Sequence, residues 1–305
     1  MIELEFLDWL RQRLPKSDTS STDDYQLQDD AARMHLAGDA IVTSDLLCEG
    51  VHFELQQMSG HQIGRKALAV NLSDLAAMAA NPTAAVVSLL LSPSTDLEWA
   101  KDCYEGLLSL ADEYGLQIVG GDTNRWSSGI VISVTAIGQP GTGGILSRSQ
   151  AQVGDQIVVT GSLGGSLQGH HFRFTPRVHE AIELMEQFTL HSGMDISDGL
   201  TLDLSRLCEA SKLGAELWLD QIPISADARA ASEHSMKTPL EHALGDGEDF
   251  ELLLTLPADE AERLIKLQPL KIPITSIGQI VAEQGLWNRA ADGSRTAIAP
   301  RGYIH

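Results

Sequence analysis

The chain has 305 residues, room for one large domain or two of ordinary size. Its 21 basic residues stand against 42 acidic ones, a formal net charge of -21, which speaks against sequence-independent binding of nucleic acid or of an anionic membrane surface. A phosphorylated small molecule is not excluded, because bound divalent cations reverse the local field.

Residues 16–30 are polar, rich in Ser, Thr and Asp, and read as a loop. The run AIVTSD (40–45) predicts a strand ending in Asp45, and residues 61–80 predict a helix with Ala67, Leu68, Val70, Leu72, Leu75 and Met78 on apolar faces. A buried strand follows at 84–91, then an amphipathic helix over 97–115 introduced by Ser94, Thr95 and Asp96. Strands are predicted at 116–123 and 129–138, and QPGTGG (139–144) reads as the boundary between two units. The second unit opens with a strand at 155–161 that enters a glycine-rich turn. A helix over 198–212, a strand at 251–256, a helix over 258–267 and a last strand at 271–278 follow. Strands and helices alternate in both units, so the fold class is α/β (α+β), with domains expected at 1–143 and 144–305.

Cys48, Cys103 and Cys208 are far apart, and neither CxxC nor a Cys/His ligand spacing occurs, so no disulfide framework or structural zinc site is indicated. The stretch MIELEFLDWLRQRLP lacks the basic-then-apolar pattern of a secretory signal. The long apolar stretch 67–91 is interrupted by Asn71, Asp74, Asn81 and Pro82 and does not read as a membrane span. These features lead us to expect a cytoplasmic protein.

Seven aspartates stand at the ends of short apolar runs among Gly, Ser, Thr and Asn: Asp29 and Asp30, Asp45, Asp74, Asp122, Asp195 and Asp198. Carboxylates and hydroxyls at loop mouths suit Mg²⁺, a hard ion that takes oxygen ligands and is commonly shared with substrate phosphates. Each has a plainer alternative. Asp29 and Asp30 suit a solvated loop, and Asp45 a turn or helix cap. Asp74 interrupts a helix of small and apolar residues, where a carboxylate must be paired, hydrogen-bonded or metal-bound. Asp122 in GGDT falls near a strand's carboxyl end, where α/β proteins place ligands. In MDISDG, Asp195, Ser197 and Asp198 suit either an ion or the cap of the next helix. The glycine-rich GSLGGS (161–166) is no Walker A loop, and no GxGxxG supports a dinucleotide fold. Arg148 and Arg125 are candidate phosphate clamps, and His52 follows the first carboxylate strand.

In order along the chain, DDA (29–31), VTSDLLCEGVHF (42–53), KALAVNLSDLAAMAANP (66–82), VGGDTNR (119–125), MDISDGL (194–200) and GDGEDFELL (245–253) resemble the thiamine-monophosphate kinase family. That family belongs to the ATP-binding superfamily of aminoimidazole ribonucleotide synthetase, and the resemblance spans roughly residues 24–280. It implies an N-terminal ferredoxin-like ATP-binding domain that forms a barrel with its twin in a homodimer. It also implies a C-terminal α/β domain that closes over the nucleotide. The implied reaction is direct, in-line transfer of the ATP γ-phosphoryl group to thiamine monophosphate, assisted by several Mg²⁺ ions. Carried over by position, Asp30, Thr43, Ser44, Asp45, Asp74, Asp122, Asp195 and Asp198 match metal ligands. Tyr104, Gly121, Asp122, Arg148 and Ser197 match nucleotide contacts, and His52 and Glu248 match substrate contacts. No catalytic side chain beyond these is implied.

The chain departs from the family pattern at Gln28, at Asp246, in a shortened segment after residue 160, and at Pro300, which stands where the family has an aromatic. The alternative functions are a relative acting on another small acceptor and a non-catalytic homologue that binds ATP and Mg²⁺.

Overall fold

The computed structural model describes Phe6, Trp9, Leu10, Gln12, Arg13 and residues 38–303; Asp29, Asp30, Gln28 and the polar segment around them lie outside the described residues. The chain divides into two units, one of residues 1–75 and 81–140, the other of residues 76–80 and 141–305.

The first unit begins with β1 (Ile41–Cys48), in which buried or half-buried Ile41, Thr43, Asp45 and Leu47 alternate with exposed Val42, Ser44 and Leu46. The strand therefore runs three residues past Asp45, which is interior to it rather than at its end. Helix α1 (Gly60–Ala77) stops short of the predicted residue 80, because Ala79 turns the chain with a φ of 53° and β2 (Ala80–Leu91) starts directly after it. Helix α2 (Leu97–Glu113) has the cap the sequence announces: the Asp96 carboxylate accepts the Trp99 N–H at 2.8 Å. Strands β3 (Gln117–Arg125) and β4 (Val131–Pro140) complete a four-stranded sheet of order β1-β4-β2-β3.

Strands β2 and β3 are parallel neighbours, so a crossover must join them, and α2 supplies it. Strand β4 returns antiparallel to β1 and lies between β1 and β2. Among the described residues the connectivity is therefore β-α-β-α-β-β. The ferredoxin-like motif runs β-α-β-β-α-β, so the expected layers are present with a different order of elements.

The second unit contains β5 (Gln156–Thr160), α3 (Val178–Gln187), β6 (Ser192–Asp195), α4 (Leu200–Ser211) and β7 (Gly214–Leu217). Two short helices, α5 (Ala226–Ser232) and α6 (Pro239–Gly245), precede β8 (Leu252–Leu256), α7 (Ala258–Leu267), β9 (Ile274–Val281), β10 (Gly285–Arg289) and β11 (Arg295–Ile298). The seven strands form one mixed sheet of order β11-β10-β7-β9-β5-β8-β6. Its core gathers Ile157, Val159, Met194, Ile196, Leu204, Leu207, Leu253 and Ile277, all essentially inaccessible. Burying each such side chain stabilises the unit by about 1.5–3 kcal/mol. Strand β6 ends at Asp195, and the core therefore fixes the height at which the MDISDG segment leaves the sheet. No helix among the described residues is long and apolar enough to cross a membrane.

Candidate active site

In the first unit the pleat of β1 decides which carboxylates and hydroxyls meet. Thr43 and Asp45 share the sheet face on which Thr43 Oγ1 donates to Asp74 Oδ2 of α1. Ser44 points to the other face, where its hydroxyl lies 2.9 Å from Thr135 Oγ1 of β4. The Ser44 hydroxyl is thus turned away from Thr43, Asp45 and Asp74, because alternation along a strand separates adjacent side chains.

The Asp45 carboxyl is pushed up to about 6 from its ordinary 3.8, first by burial and then by the negative charge of Asp74. Two carboxylates and a hydroxyl held together in this way form an all-oxygen set that favours a hard cation. Without a cation the charge on Asp45 is a liability. Between about pH 4 and pH 6 the unfolded chain loses this proton while the folded chain keeps it, so stability falls as pH rises through that window. Replacing Asp45 by Asn should therefore stabilise the cation-free chain at pH 7.5, by on the order of 1–3 kcal/mol. The gain should vanish at pH 4. Urea melts of both chains at the two pH values check this; a gain that is the same at both would contradict it.

Asp122 lies on β3 in register with Ser88 of β2, exposed and three residues before the strand's end. The preceding glycine has a packing reason: a Cβ at Gly121 would lie 2.0 Å from the Val87 carbonyl oxygen. Tyr104 of α2 is buried, its ring edge-on to Phe6 at 5.0 Å between centroids, so its phenol is part of the core and not of an open surface. Arg125 is committed to the loop before α2, with Nη2 donating to the Thr95 carbonyl at 2.6 Å. His52 sits in the turn after β1, where its Nδ1 accepts the Cys48 N–H at 3.0 Å. The ring's donor is then Nε2. The His52 carbonyl in turn accepts the ammonium of the fully buried Lys66 at 2.8 Å.

In the second unit, Asp195 ends β6 in a buried position and Ser197 and Asp198 follow it. The sequence offers Ser197 or Asp198 as the cap of the next helix, and neither serves. Asp203, in the first turn of α4, accepts the N–H groups of Ser197, Asp198 and Gly199 on Oδ2 at 3.0, 2.9 and 3.0 Å. Its Oδ1 accepts Arg206 Nη1 at 2.9 Å, and the same guanidinium pairs with Asp198. Burial, the largest influence, lifts the Asp203 carboxyl above the usual range despite these donors. The backbone that carries Ser197 and Asp198 is thereby fixed, with both residues half-buried and the Asp198 carboxylate paired with Arg206.

The GDGEDF segment docks on the same strand end. Glu248 N–H donates to the Ser197 carbonyl at 2.6 Å and Phe250 N–H to the Ile196 carbonyl at 2.8 Å. Glu248 and Phe250 both have left-handed backbones, with φ of 62° and 52°. For residues with a Cβ this costs about 1–2 kcal/mol each, and such strain gathers at ligand-binding segments. Asp246 caps α6 and is held by Lys237 at 2.9 Å and His242 at 2.6 Å. Asp249 is buried, with Oδ1 accepting the Gly164 N–H at 2.8 Å, and burial raises its carboxyl well above the ordinary range. Glu251 takes a bidentate pair of bonds from Arg177, at 2.8 and 2.5 Å, and the Thr160 hydroxyl at 2.6 Å.

The glycines of the turn 161–166 lie tightly against other parts of the protein. A Cβ at Gly161 would meet the Glu251 carboxylate at 2.1 Å, at Gly164 the Ala243 nitrogen at 2.5 Å, and at Gly165 the Ala228 nitrogen at 2.3 Å. All three glycines also have positive φ. Arg148 is exposed, and among the described residues its guanidinium makes no hydrogen bond or ion pair, its carbonyl alone accepting the Ser211 hydroxyl at 2.9 Å.

Asp203, Arg206, Asp249, Arg177 and Lys66 were not foreseen as site residues. Asp203 leaves a local trace, an acidic residue in a first helical turn with Arg206 three positions on; the contacts of Asp249 and Arg177 are made across more than 70 residues of chain. Among the described residues no three Asp, Glu, His or Cys side chains cluster as a ready-made metal centre. An ion here would need substrate oxygens or water as well, which is the habit of Mg²⁺.

Two domain families match this chain: AIR synthase related protein, N-terminal domain, over residues 28–139, and AIR synthase related protein, C-terminal domain, over residues 152–286. A thiamine-monophosphate kinase of Rhodopirellula baltica is 41% identical over 268 residues, covering 87% of this chain and 83% of that protein. The chain belongs to the thiamine-monophosphate kinase family. The crystal structure of a thiamine-monophosphate kinase from Stenotrophomonas maltophilia aligns with a TM-score of 0.79 at 33% identity over 96% of both chains. A structure described as AaThiL complexed with AMPPCP and TMP aligns with a TM-score of 0.77 at 27% identity, covering 99% of this chain and 96% of that one. The mixed α/β architecture with two sheets is thus the architecture of this family.

Proposed function

We propose that this chain is a thiamine-phosphate kinase: it transfers the γ-phosphoryl group of ATP to the phosphate of thiamine monophosphate, giving thiamine diphosphate and ADP. A phosphate oxygen of the acceptor forms the new P–O bond as the bond to ADP breaks, in line and without a phosphoenzyme. The 41% identity to a thiamine-monophosphate kinase, together with the Thr43, Asp45 and Asp74 cluster, carries this reading.

The attacking group is already a phosphate anion, so no strong general base is required, and the barrier is mainly one of charge. Asp30, Thr43, the Ser44 backbone, Asp45, Asp74 and Asp122 in residues 1–143, and Asp195 and Asp198 in residues 144–305, would hold Mg²⁺. When bound, the ions offset the repulsion between donor and acceptor phosphates. The oxygen-only chemistry of Thr43, Asp45 and Asp74 fits that ion. Gly121, Asp122, Arg148 and Ser197 would contact the nucleotide, whereas Tyr104, buried against Phe6, would act only through packing of the first unit. Arg148, exposed and uncommitted, suits a phosphate clamp. His52, through Nε2–H, and Glu248 would hold thiamine monophosphate. A homodimer built on the first unit is supported by β1: it is an edge strand, and Val42 and Leu46 are 61% and 54% exposed on its open face. A cytoplasmic location accords with these substrates.

Replacing Glu248 by Ala tests the substrate assignment. We expect the KM for thiamine monophosphate to rise about tenfold and that for ATP to change by less than about twofold. Steady-state kinetics with each substrate varied in turn read both values. Equal changes in the two would remove Glu248 from the acceptor site.

A further inference from the structure

We propose that residues 164–174 act as a clamp that sets the position of Glu248, with His170 as its positioning residue. The proposal rests on the reading of Glu248 as a contact to thiamine monophosphate and adds the device that orients it.

The residues on either side of Glu248 are each gripped by this segment. Gly165 N–H donates to Asp246 Oδ2 at 3.1 Å, and the Ser166 hydroxyl donates to the Gly247 carbonyl. Gly164 N–H donates to Asp249 Oδ1 at 2.8 Å, and His170 Nε2 lies 3.2 Å from the Asp249 carbonyl oxygen. A carbonyl only accepts, so the ring places its proton on Nε2. The Phe174 ring stacks on Phe250 with centroids 4.0 Å apart and planes 18° from parallel. From the other side the segment 196–197 takes the N–H groups of Glu248 and Phe250.

This grip answers a specific physical need. Glu248 and Phe250 have left-handed backbones that residues with a Cβ seldom adopt, and such a conformation persists only where the surroundings over-determine it. The peptide between Asp249 and Phe250 joins these two turns, and His170 bonds its carbonyl. The N–H of the same peptide is held by the Ile196 carbonyl, so His170 supplies the second of the two bonds that fix its plane; with one bond left, the peptide can rock, and the Glu248 carboxylate would shift with it. The tightly packed glycine turn gives the clamp its anchorage: Gly164 and Gly165 lie against the backbones of residues 242–243 and 227–228, and neither can shift toward them. The segment that departs from the family pattern in length is thus the one that shapes the acceptor loop.

His170→Phe keeps a ring beside Phe174 and loses the donor, whereas His170→Gln restores an N–H at similar reach. In His170→Phe we expect amide hydrogen exchange of residues 246–250 to quicken by about tenfold. The KM for thiamine monophosphate should rise by about tenfold with the KM for ATP within about twofold of normal. His170→Gln should return both readouts to near their starting values, and Ser166→Ala should repeat the His170→Phe pattern in weaker form. Unchanged exchange at 246–250 in His170→Phe would overturn the clamp. Parallel shifts of both KM values, or a His170→Gln chain as impaired as His170→Phe, would reduce the contact to general packing and overturn the positioning role. Should the unsubstituted chain fail to turn over thiamine monophosphate, the functional reading falls, and the exchange comparison still decides whether the clamp exists.

Discussion

Asp74→Asn abolishes phosphoryl transfer, with a loss of about a thousandfold or more, and leaves the fold intact. Asp74 is the lone acid in an α1 segment of small and apolar residues, and its carboxylate accepts the Thr43 hydroxyl from β1. It lies close enough to Asp45 for its charge to help raise that carboxyl to about 6. Like charges gathered in a half-buried place destabilise the cation-free protein, and they persist because they serve a ligand. Asparagine keeps an oxygen for Thr43 and removes one charge, so the unloaded chain should melt at the same temperature or slightly higher. A phosphoryl-transfer site that loses a carboxylate from its cation set forfeits the electrostatic stabilisation that dominates such catalysis, on the order of 4 kcal/mol. Steady-state turnover and thermal melting of the variant, side by side, check this. Normal turnover with normal melting would remove the cation role of Asp74.

Asp203→Ala should carry a large stability loss in the second unit, about 3 kcal/mol or more. One carboxylate oxygen of this buried residue satisfies three consecutive N–H groups, and the other holds Arg206. Alanine would strand those donors at the end of β6 and release the segment that carries Ser197 and Asp198. Asp203→Asn retains one acceptor oxygen and should lose clearly less. Urea unfolding monitored by circular dichroism measures both, and the comparison is valid where the slope against denaturant is unchanged. A loss below about 1 kcal/mol in Asp203→Ala would mean that water or rearranged backbone replaces the carboxylate.

Much of this fold and its site can be read from the chain. The N-terminal elements were legible because β1, α1, α2, β3 and β4 are long enough to show their periods, and Asp96 announces α2 as its cap. Strands β6 and β7, four residues each, are too short for a period to emerge, and α5 and α6 are two turns at most. Asp74 was conspicuous because an acid in an apolar helix demands a partner. The opposite facing of Ser44 follows from alternation once β1 is known to continue through Asp45, and ending the strand at Asp45 hid it. Asp203 was overlooked because three of its partners are backbone groups, which carry no sequence signal, and an acid in a first helical turn beside Arg206 reads equally well as an ordinary helix pair. The glycines at 161–165 matched no phosphate-loop motif, and what forbids a side chain there is the carboxylate of Glu251 and the backbones of α5 and α6, brought in from 60 to 90 residues away. Long-range packing of that kind is set by the tertiary fold and leaves no mark on a local pattern.

The most direct test of the central claim mixes the protein with ATP, Mg²⁺ and thiamine monophosphate and quantifies the products by chromatography. The account predicts thiamine diphosphate and ADP in equal amounts, formed only when Mg²⁺ is present, and it predicts that this turnover survives the presence of Pro300 where the family has an aromatic. Binding of ATP with Mg²⁺ but no thiamine diphosphate would contradict it and leave a nucleotide-binding protein whose acceptor is something else.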